Sequence, residues 1–408
     1  MLTGRVRVVR IQDEGEAREL IRRVGPDVAG LGIMAPKAVH LVLYVKDVST
    51  PGALILKQEM LARGGEAAVN REVIVARTDK TDMVLMGTLQ QYRQALIRMR
   101  QQPFGLKALA EEIEFILDLN SIAKGDDPSR TGSRKLRSRG LACRDRWLPL
   151  GERTLMMGIL NLTPDSFSDG GKYCEPAAAL ARAQQLVEEG ADLLDVGAES
   201  TRPGFRPISA AEEWERLKIV LPLLLKELPI PISLDTYKAE VARRALDLGV
   251  HLINDIWGLQ GDPAMAEVIA EYQVPVVVMH NRKKAEYRDL MAELVQDLGQ
   301  SLRIADQAGI DPAKIVLDPG IGFGKTLEHN LEVMKRLSEL RSLGKPLLLG
   351  TSRKSMIGQV LDAPVDQREM GTAATVVLGI VAGVDIVRVH DVRQIKPAVQ
   401  MADAIVRL

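Results

Sequence analysis

From residue 155 onward, runs of four to eight mostly apolar residues alternate with longer stretches whose apolar positions recur at helical spacing. The short runs fall at residues 155–162, 193–197, 232–235, 252–255, 276–280, 315–319, 347–351 and 386–390, and each ends in polar residues or glycine. The longer stretches fall at residues 176–189, 210–227, 238–248, 263–272, 288–308, 327–343, 367–382 and 392–406. A continuous apolar run suits a strand covered on both faces, and a stripe at helical period suits the helix that covers it. Eight such units in order predict an α/β fold closed as a (β/α)8 TIM barrel over residues 150–408. A doubly wound sheet is the rival. It would favour fewer strands and a glycine-rich first turn, whereas the first turn here reads NLTPD at residues 161–165.

The pattern before residue 120 is less regular. Strand-like runs at 5–11, 39–45, 73–76 and 83–86 are interleaved with helical stretches at 16–24, 51–63, 89–101 and 105–119. They predict a small α+β or α/β N-terminal domain over residues 1–120, without a catalytic constellation. Residues 121–140 (SIAKGDDPSRTGSRKLRSRG) lose all apolar periodicity, and 121–149 is read as a basic linker. A basic stretch also fits nucleic acid, but no aromatic residue interleaves this one, so it is read as a solvated tether.

Composition narrows the function classes. Apolar residues make up 46% of the chain and aromatics 3%, so the core must be aliphatic. Lys+Arg (54) balances Asp+Glu (54), and no global field draws the chain to nucleic acid or to a membrane. Two cysteines, Cys143 and Cys174, make neither a disulfide framework nor a thiolate metal site, which fits a cytoplasmic protein. The charged N-terminus does not read as a signal peptide, and the apolar run at 376–384 is too short to span a bilayer.

In a barrel of this kind the active site lies at the C-terminal ends of the strands. Those ends carry Asn161, Asp195, Glu199, Asp235, Asn254, Asp255, His280, Asp318, Ser352, Arg353, Lys354, Arg388 and His390. Any one carboxylate there could simply cap the next helix. Asp235, Asn254 and Asp318 together suit the paired N–H and C=O edge of an amino-substituted heterocycle. Arg388 and His390 alternate on the last strand and share a face, and Ser352, Arg353 and Lys354 open a helix; both groups suit phosphate or carboxylate. Asn161 could add an oxygen ligand to Mg²⁺ already shared with phosphate. Residues 163–171 and 199–204 read as glycine-containing loops able to close over a substrate. Gly320-Ile-Gly-Phe-Gly has the wrong spacing for a dinucleotide loop, and Ser352 lacks a base for a hydrolase triad.

Seven ordered motifs, MGILNLTPDSFSDGG (157–171), DVGAESTRPG (195–204), SLDTYK (233–238), INDIWG (253–258), DPGIGFGK (318–325), GTSRKSMIG (350–358) and IVRVHDV (386–392), resemble the dihydropteroate synthase family. The resemblance spans nearly all of the C-terminal region and leaves residues 1–140 uncovered. It implies condensation of 7,8-dihydropterin-6-ylmethyl diphosphate with p-aminobenzoate, releasing pyrophosphate, in folate synthesis. Matched position by position, it implies a pterin site of Asp235, Asn254, Asp318, Lys354, Met279 and Phe323. It implies Thr201, Arg202, Arg388 and His390 on the diphosphate, and Ser352, Phe167 and Pro203 around the aminobenzoate. Asn161 would be the Mg²⁺ ligand, Lys354, Asp169 and Arg202 would serve the chemistry, and a homodimer would form through barrel helices. Two departures are Ala198, where a second glycine is common, and Asn281-Arg282 after His280. The alternative is a pterin-binding methyltransferase acting on methyltetrahydrofolate and a corrinoid protein. It would share the pterin residues but not need the anion-binding ones.

Overall fold

The computed structural model describes residues 7–75, 77–121, 140–162, 176–199 and 207–407. The chain divides into two compact units, residues 1–133 and 134–408.

In the first unit, helices Glu14–Arg22 and Val28–Ala38 precede β1 (His40–Ser49), helix Thr50–Leu61, β2 (Glu66–Val69), β3 (Lys80–Thr88) and helices Leu89–Met99 and Leu106–Ser121. The strands form an antiparallel sheet in the order β1-β3-β2. Four features differ from the sequence pattern here. Helix Val28–Ala38 escapes a propensity reading because Gly30, Gly32 and Pro36 weaken it, although Asp27 caps its start by accepting from Ala29 N at 2.8 Å. Residues 7–10 form no strand. Of the strand expected at 73–76, Val73 ends a short 3-10 helix, Arg71–Val73, held by the Asn70 side chain accepting from Glu72 N; residues 74–75 form a turn, and residue 76 lies outside the described residues. β3 pairs with β1 on one side and on the other with β2, which the sequence pattern does not mark because EAAV has little β-propensity of its own.

The second unit starts earlier than the expected boundary at residue 150. β4 (Gly140–Cys143) and β5 (Arg146–Pro149) form a hairpin, so the proposed linker over 121–149 ends before residue 140. Leu141, Cys143, Leu148 and Leu150 pack against Leu155, Met157, Leu193, Leu252, Val277, Val316, Leu348 and Ile386 inside the barrel. Arg144 at the turn donates to Val250 O (2.8 Å) and Leu246 O (2.7 Å), and Arg146 to Leu228 O (2.9 Å) and Ile230 O. The carbonyls of Leu228, Ile230 and Val250 lie just before strands and that of Leu246 in the last turn of helix Ala239–Leu248, so the hairpin seals the N-terminal end. Two-residue alternation in such short strands is too brief a signal to separate from the basic segment before it.

The barrel is as the alternation predicts. β6 (Leu155–Asn161), β7 (Leu193–Gly197), β8 (Ile232–Asp235), β9 (Leu252–Asp255), β10 (Val276–Met279), β11 (Ile315–Asp318), β12 (Leu348–Leu349) and β13 (Ile386–Val389) form one parallel sheet in the order β11-β10-β9-β8-β7-β6-β13-β12. A parallel bridge between Leu317 and Leu347 joins the two ends. Side chains on alternate strand positions face inward. Their neighbours, such as Met156, Leu194, Ile253, Val278, Leu317, Leu349 and Val387, join the outer core with the helices.

Candidate active site

The inward positions divide at one level. Below it is the apolar floor just described; two residues further along the same strands come Ile159, Asp195, Asn254, Met279, Asp318, Gly350 and Arg388. Ser233 and Asp235 stand at the inward positions of β8. The strand period therefore gathers a ring of polar groups directly over a greasy base.

Arg388 is the hub of that ring. Its Nε donates to Asp195 Oδ2 at 2.6 Å and its Nη2 to Asp235 Oδ2 at 2.9 Å, while Asn254 Nδ2 donates to Asp195 Oδ2 at 3.0 Å. The remaining acceptors, Asp195 Oδ1, Asp235 Oδ1 and Asn254 Oδ1, and the hydroxyl Ser233 Oγ, are buried with no hydrogen-bond partner. Unsatisfied buried polar atoms are costly, and four in one place mark a surface shaped for an absent donor-bearing ligand. Burial pushes the Asp235 carboxyl up to about 7, against the pull of Arg388 and with the help of Asp195.

Across the mouth, Asp318 Oδ1 accepts from Gly320 N at 2.7 Å. Burial raises its pKa, opposed chiefly by Lys354. Lys354 is itself pushed down to about 8 by burial, against the attraction of Asp318. Its Nζ donates to Ile321 O and lies 4.8 Å from the centre of the Phe323 ring. Met279, buried at the end of β10, pairs in register with Asp318.

The three side chains of the Ser352-Arg353-Lys354 run diverge to different partners. Ser352 Oγ accepts from His390 N at 3.2 Å and lies 3.0 Å from His390 Nδ1. Arg353, at φ 58°, turns away into a bidentate pair with Asp391. Lys354 turns the other way, to the Asp318 side. Asn161, Arg182, Arg353, His390 and Asp391 line a cleft beside the ring. Asn161 is one neutral oxygen, and no cluster of three metal-ligating side chains occurs among the described residues. That donor set fits a divalent ion only when phosphate oxygens supply other ligands.

Of the residues expected at the mouth, the structure brings together Asp235, Asn254, Asp318, Met279, Phe323, Lys354 and Arg388, with Ser352, His390 and Asn161 alongside. Phe167, Asp169, Thr201, Arg202 and Pro203 lie outside the described residues. Two expectations of position change. Asp255 faces outward and caps its own loop, accepting from Trp257 N (2.9 Å) and Leu259 N (2.7 Å). His280 also faces the helix layer, 3.1 Å from Asp297. Asp195, to which the motif resemblance gives no role, anchors both Arg388 and Asn254; strand parity marks it, two positions beyond inward Leu193.

Residues 157–390 match the pterin binding enzyme family. The dihydropteroate synthase of Bacillus subtilis is 54% identical over 253 residues, which cover 62% of this chain and 89% of that protein. The chain belongs to the dihydropteroate synthase family. A dihydropteroate synthase structure from Xanthomonas albilineans with 4-aminobenzoic acid superposes with a TM-score of 0.63 at 40% identity, covering 66% of this chain and 98% of that one. A probable bifunctional folylpolyglutamate synthase/dihydropteroate synthase of Halobacterium salinarum is 37% identical over 398 residues. That match takes in 95% of this chain and so extends past the barrel, while this chain spans 46% of that protein.

Proposed function

We propose that the barrel joins 7,8-dihydropterin-6-ylmethyl diphosphate to p-aminobenzoate, giving 7,8-dihydropteroate and pyrophosphate for folate synthesis. The observation that carries this reading is the set of buried, unpartnered acceptors on Asp195, Asp235 and Asn254 beside Arg388. A pterin edge offers the N–H donors that they lack, and Asp318 can accept others with Lys354 alongside. The relatives that support this reading are dihydropteroate synthases, and the corrinoid methyltransferase alternative is set aside.

The arylamine nitrogen attacks the exocyclic methylene, the C–O bond to the diphosphate breaks, and one amine proton leaves with the pyrophosphate. No side-chain nucleophile is required. The chain's task is to hold the ring and to draw negative charge onto the leaving group. Arg388 and His390 stand on the strand leading from the ring to the cleft and suit the diphosphate. Ser352, at the adjoining turn, suits the aminobenzoate carboxylate. Phe167 and Pro203 would wall that pocket, Thr201 and Arg202 would bind diphosphate, and Asp169 would support the closed loop and the developing methylene cation. Asn161 would give Mg²⁺ one oxygen ligand. When bound with the diphosphate, that ion supplies charge neutralisation to the leaving group.

The partner proposed is a second copy of the chain. Helix Glu369–Val381 exposes Met370, Leu378 and Val381, and helix Val392–Val406 exposes Met401 and Ile405. These neighbouring helices present apolar stripes, the composition of a homodimer face. Among the described residues no helix is long and apolar enough to cross a membrane. A free, buried thiol at Cys143 accords with a cytoplasmic enzyme. Pyrophosphate release that requires both substrates tests the reaction; release without aminobenzoate, or none with both, would overturn it.

A further inference from the structure

A lysine that the reaction does not call for is enclosed behind the loop that follows β11. Lys325 Nζ lies 2.8 Å from His280 Nδ1, 3.1 Å from Gly320 O and 3.2 Å from Phe323 O. An ammonium has three N–H groups, and each meets an acceptor here. For Nδ1 to accept, the imidazole must be neutral and protonated at Nε2, which then donates to Asp297 Oδ2 at 3.1 Å. Asp297 accepts in turn from Arg282 Nε at 2.7 Å. Burial holds the His280 ring down to about 4, outweighing its bond to Asp297, so the ring remains neutral at ordinary pH. Burial also pushes Lys325 down to about 7, against the attraction of Asp318 and Asp297 and with the repulsion of Lys354 and Arg282.

The loop that Lys325 holds has little freedom elsewhere. Gly320, at φ +66°, is so close to β10 that an added Cβ would lie 1.9 Å from His280 O. At Gly324, φ +54°, it would lie 2.4 Å from Arg282 O, and Tyr287 Oη donates to Gly324 O at 2.8 Å. On the opposite side Lys354 donates to Ile321 O. Two ammonium groups therefore pin three carbonyls of one turn, Lys325 those of Gly320 and Phe323 from behind and Lys354 that of Ile321 from the mouth. The same turn carries Phe323 and supplies the Gly320 N–H bound to Asp318 Oδ1.

We propose that Lys325, keyed by His280 and Asp297, is a positioning residue for ring recognition, holding the Gly320–Phe323 turn so that Asp318 and Phe323 meet the pterin. The inference rests on the reading that Asp318 and Phe323 bind that ring. In the full-length protein, Lys325→Met should raise the KM for the pterin diphosphate about tenfold or more, the scale of losing hydrogen bonds from a charged donor. The kcat at saturation and the KM for aminobenzoate should stay within about threefold. Asp297→Ala should shift the pterin KM in the same direction, and Asp297→Asn, which keeps an acceptor for Nε2–H, should restore it. Nitrogen NMR of the wild-type protein should show His280 as the neutral Nε2–H tautomer from about pH 5.5 to 8.

An unchanged pterin KM in Lys325→Met, or an Nδ1–H or charged His280 in that range, overturns the proposal. If Lys325→Met does not fold, the Asp297 pair decides: equal effects of Ala and Asn overturn the proposal, and rescue by Asn supports it. A wild-type protein that releases no pyrophosphate with both substrates would defeat the reaction assignment instead, and equilibrium binding of a pterin would then carry the Lys325 comparison.

Discussion

Asp235 keeps one carboxylate oxygen on Arg388 and the other without a partner, so its ionised form is costly in the free enzyme. Its folded pKa of about 7 lies above the ordinary 3.8. The sign follows: this group favours the folded state most below its unfolded value, and that contribution is lost as pH rises through about 7. Asp235→Asn should therefore leave Tm at pH 8 unchanged or higher, while weakening pterin affinity by at least about tenfold for lack of a charged acceptor. Pterin binding needs the carboxylate of Asp235 and the ammonium of Lys354. The pH profile of kcat/KM for the pterin substrate should thus fall on the acid side as Asp235 is protonated through about 7, and on the alkaline side as Lys325 and Lys354 lose their protons through about 7 and about 8. Asp235→Asn should remove the acidic limb, and a flat profile in the wild type would contradict both assignments.

At the scale of elements, strand ends and their residues were legible because a buried parallel strand is apolar until it reaches the mouth, as KIVLD and HLIND show. The paired contacts were less so. Sequence order put Ser352, Arg353 and Lys354 together, and one left-handed residue sends their side chains to three different partners. Loops 163–171 and 199–204 carry five of the expected site residues, which lie outside the described set. The hairpin β4–β5 hid inside a basic stretch because its apolar residues contact the barrel, not each other's local pattern. Leu148, 4% exposed, fills the barrel floor, and Leu148→Ala should cost about 2–5 kcal/mol in denaturant unfolding. Cys143 is fully buried there and its thiol is pushed up to about 12 by burial. It should resist alkylation at pH 8 in the native protein and react only on unfolding; rapid labelling of Cys143 in the folded state would contradict a closed floor.

At the scale of the whole molecule, the two units part at residue 133, and the barrel contains its own core. A fragment beginning at residue 134 should fold and retain pyrophosphate release, whereas one beginning at residue 150 should lose cooperative unfolding because the floor residues lose Leu141, Cys143 and Leu148. Activity of the shorter fragment at full Tm would show the hairpin to be dispensable. The hairpin has one more effect. The strand side chains that fill the barrel floor, capped by the hairpin, leave the mouth as the doorway among the described residues. The deepest guest must then arrive first and depart after whatever lies above it, so traffic through this enzyme obeys a queue. Dihydropteroate should consequently compete with the pterin diphosphate, and aminobenzoate should not be captured by the empty well.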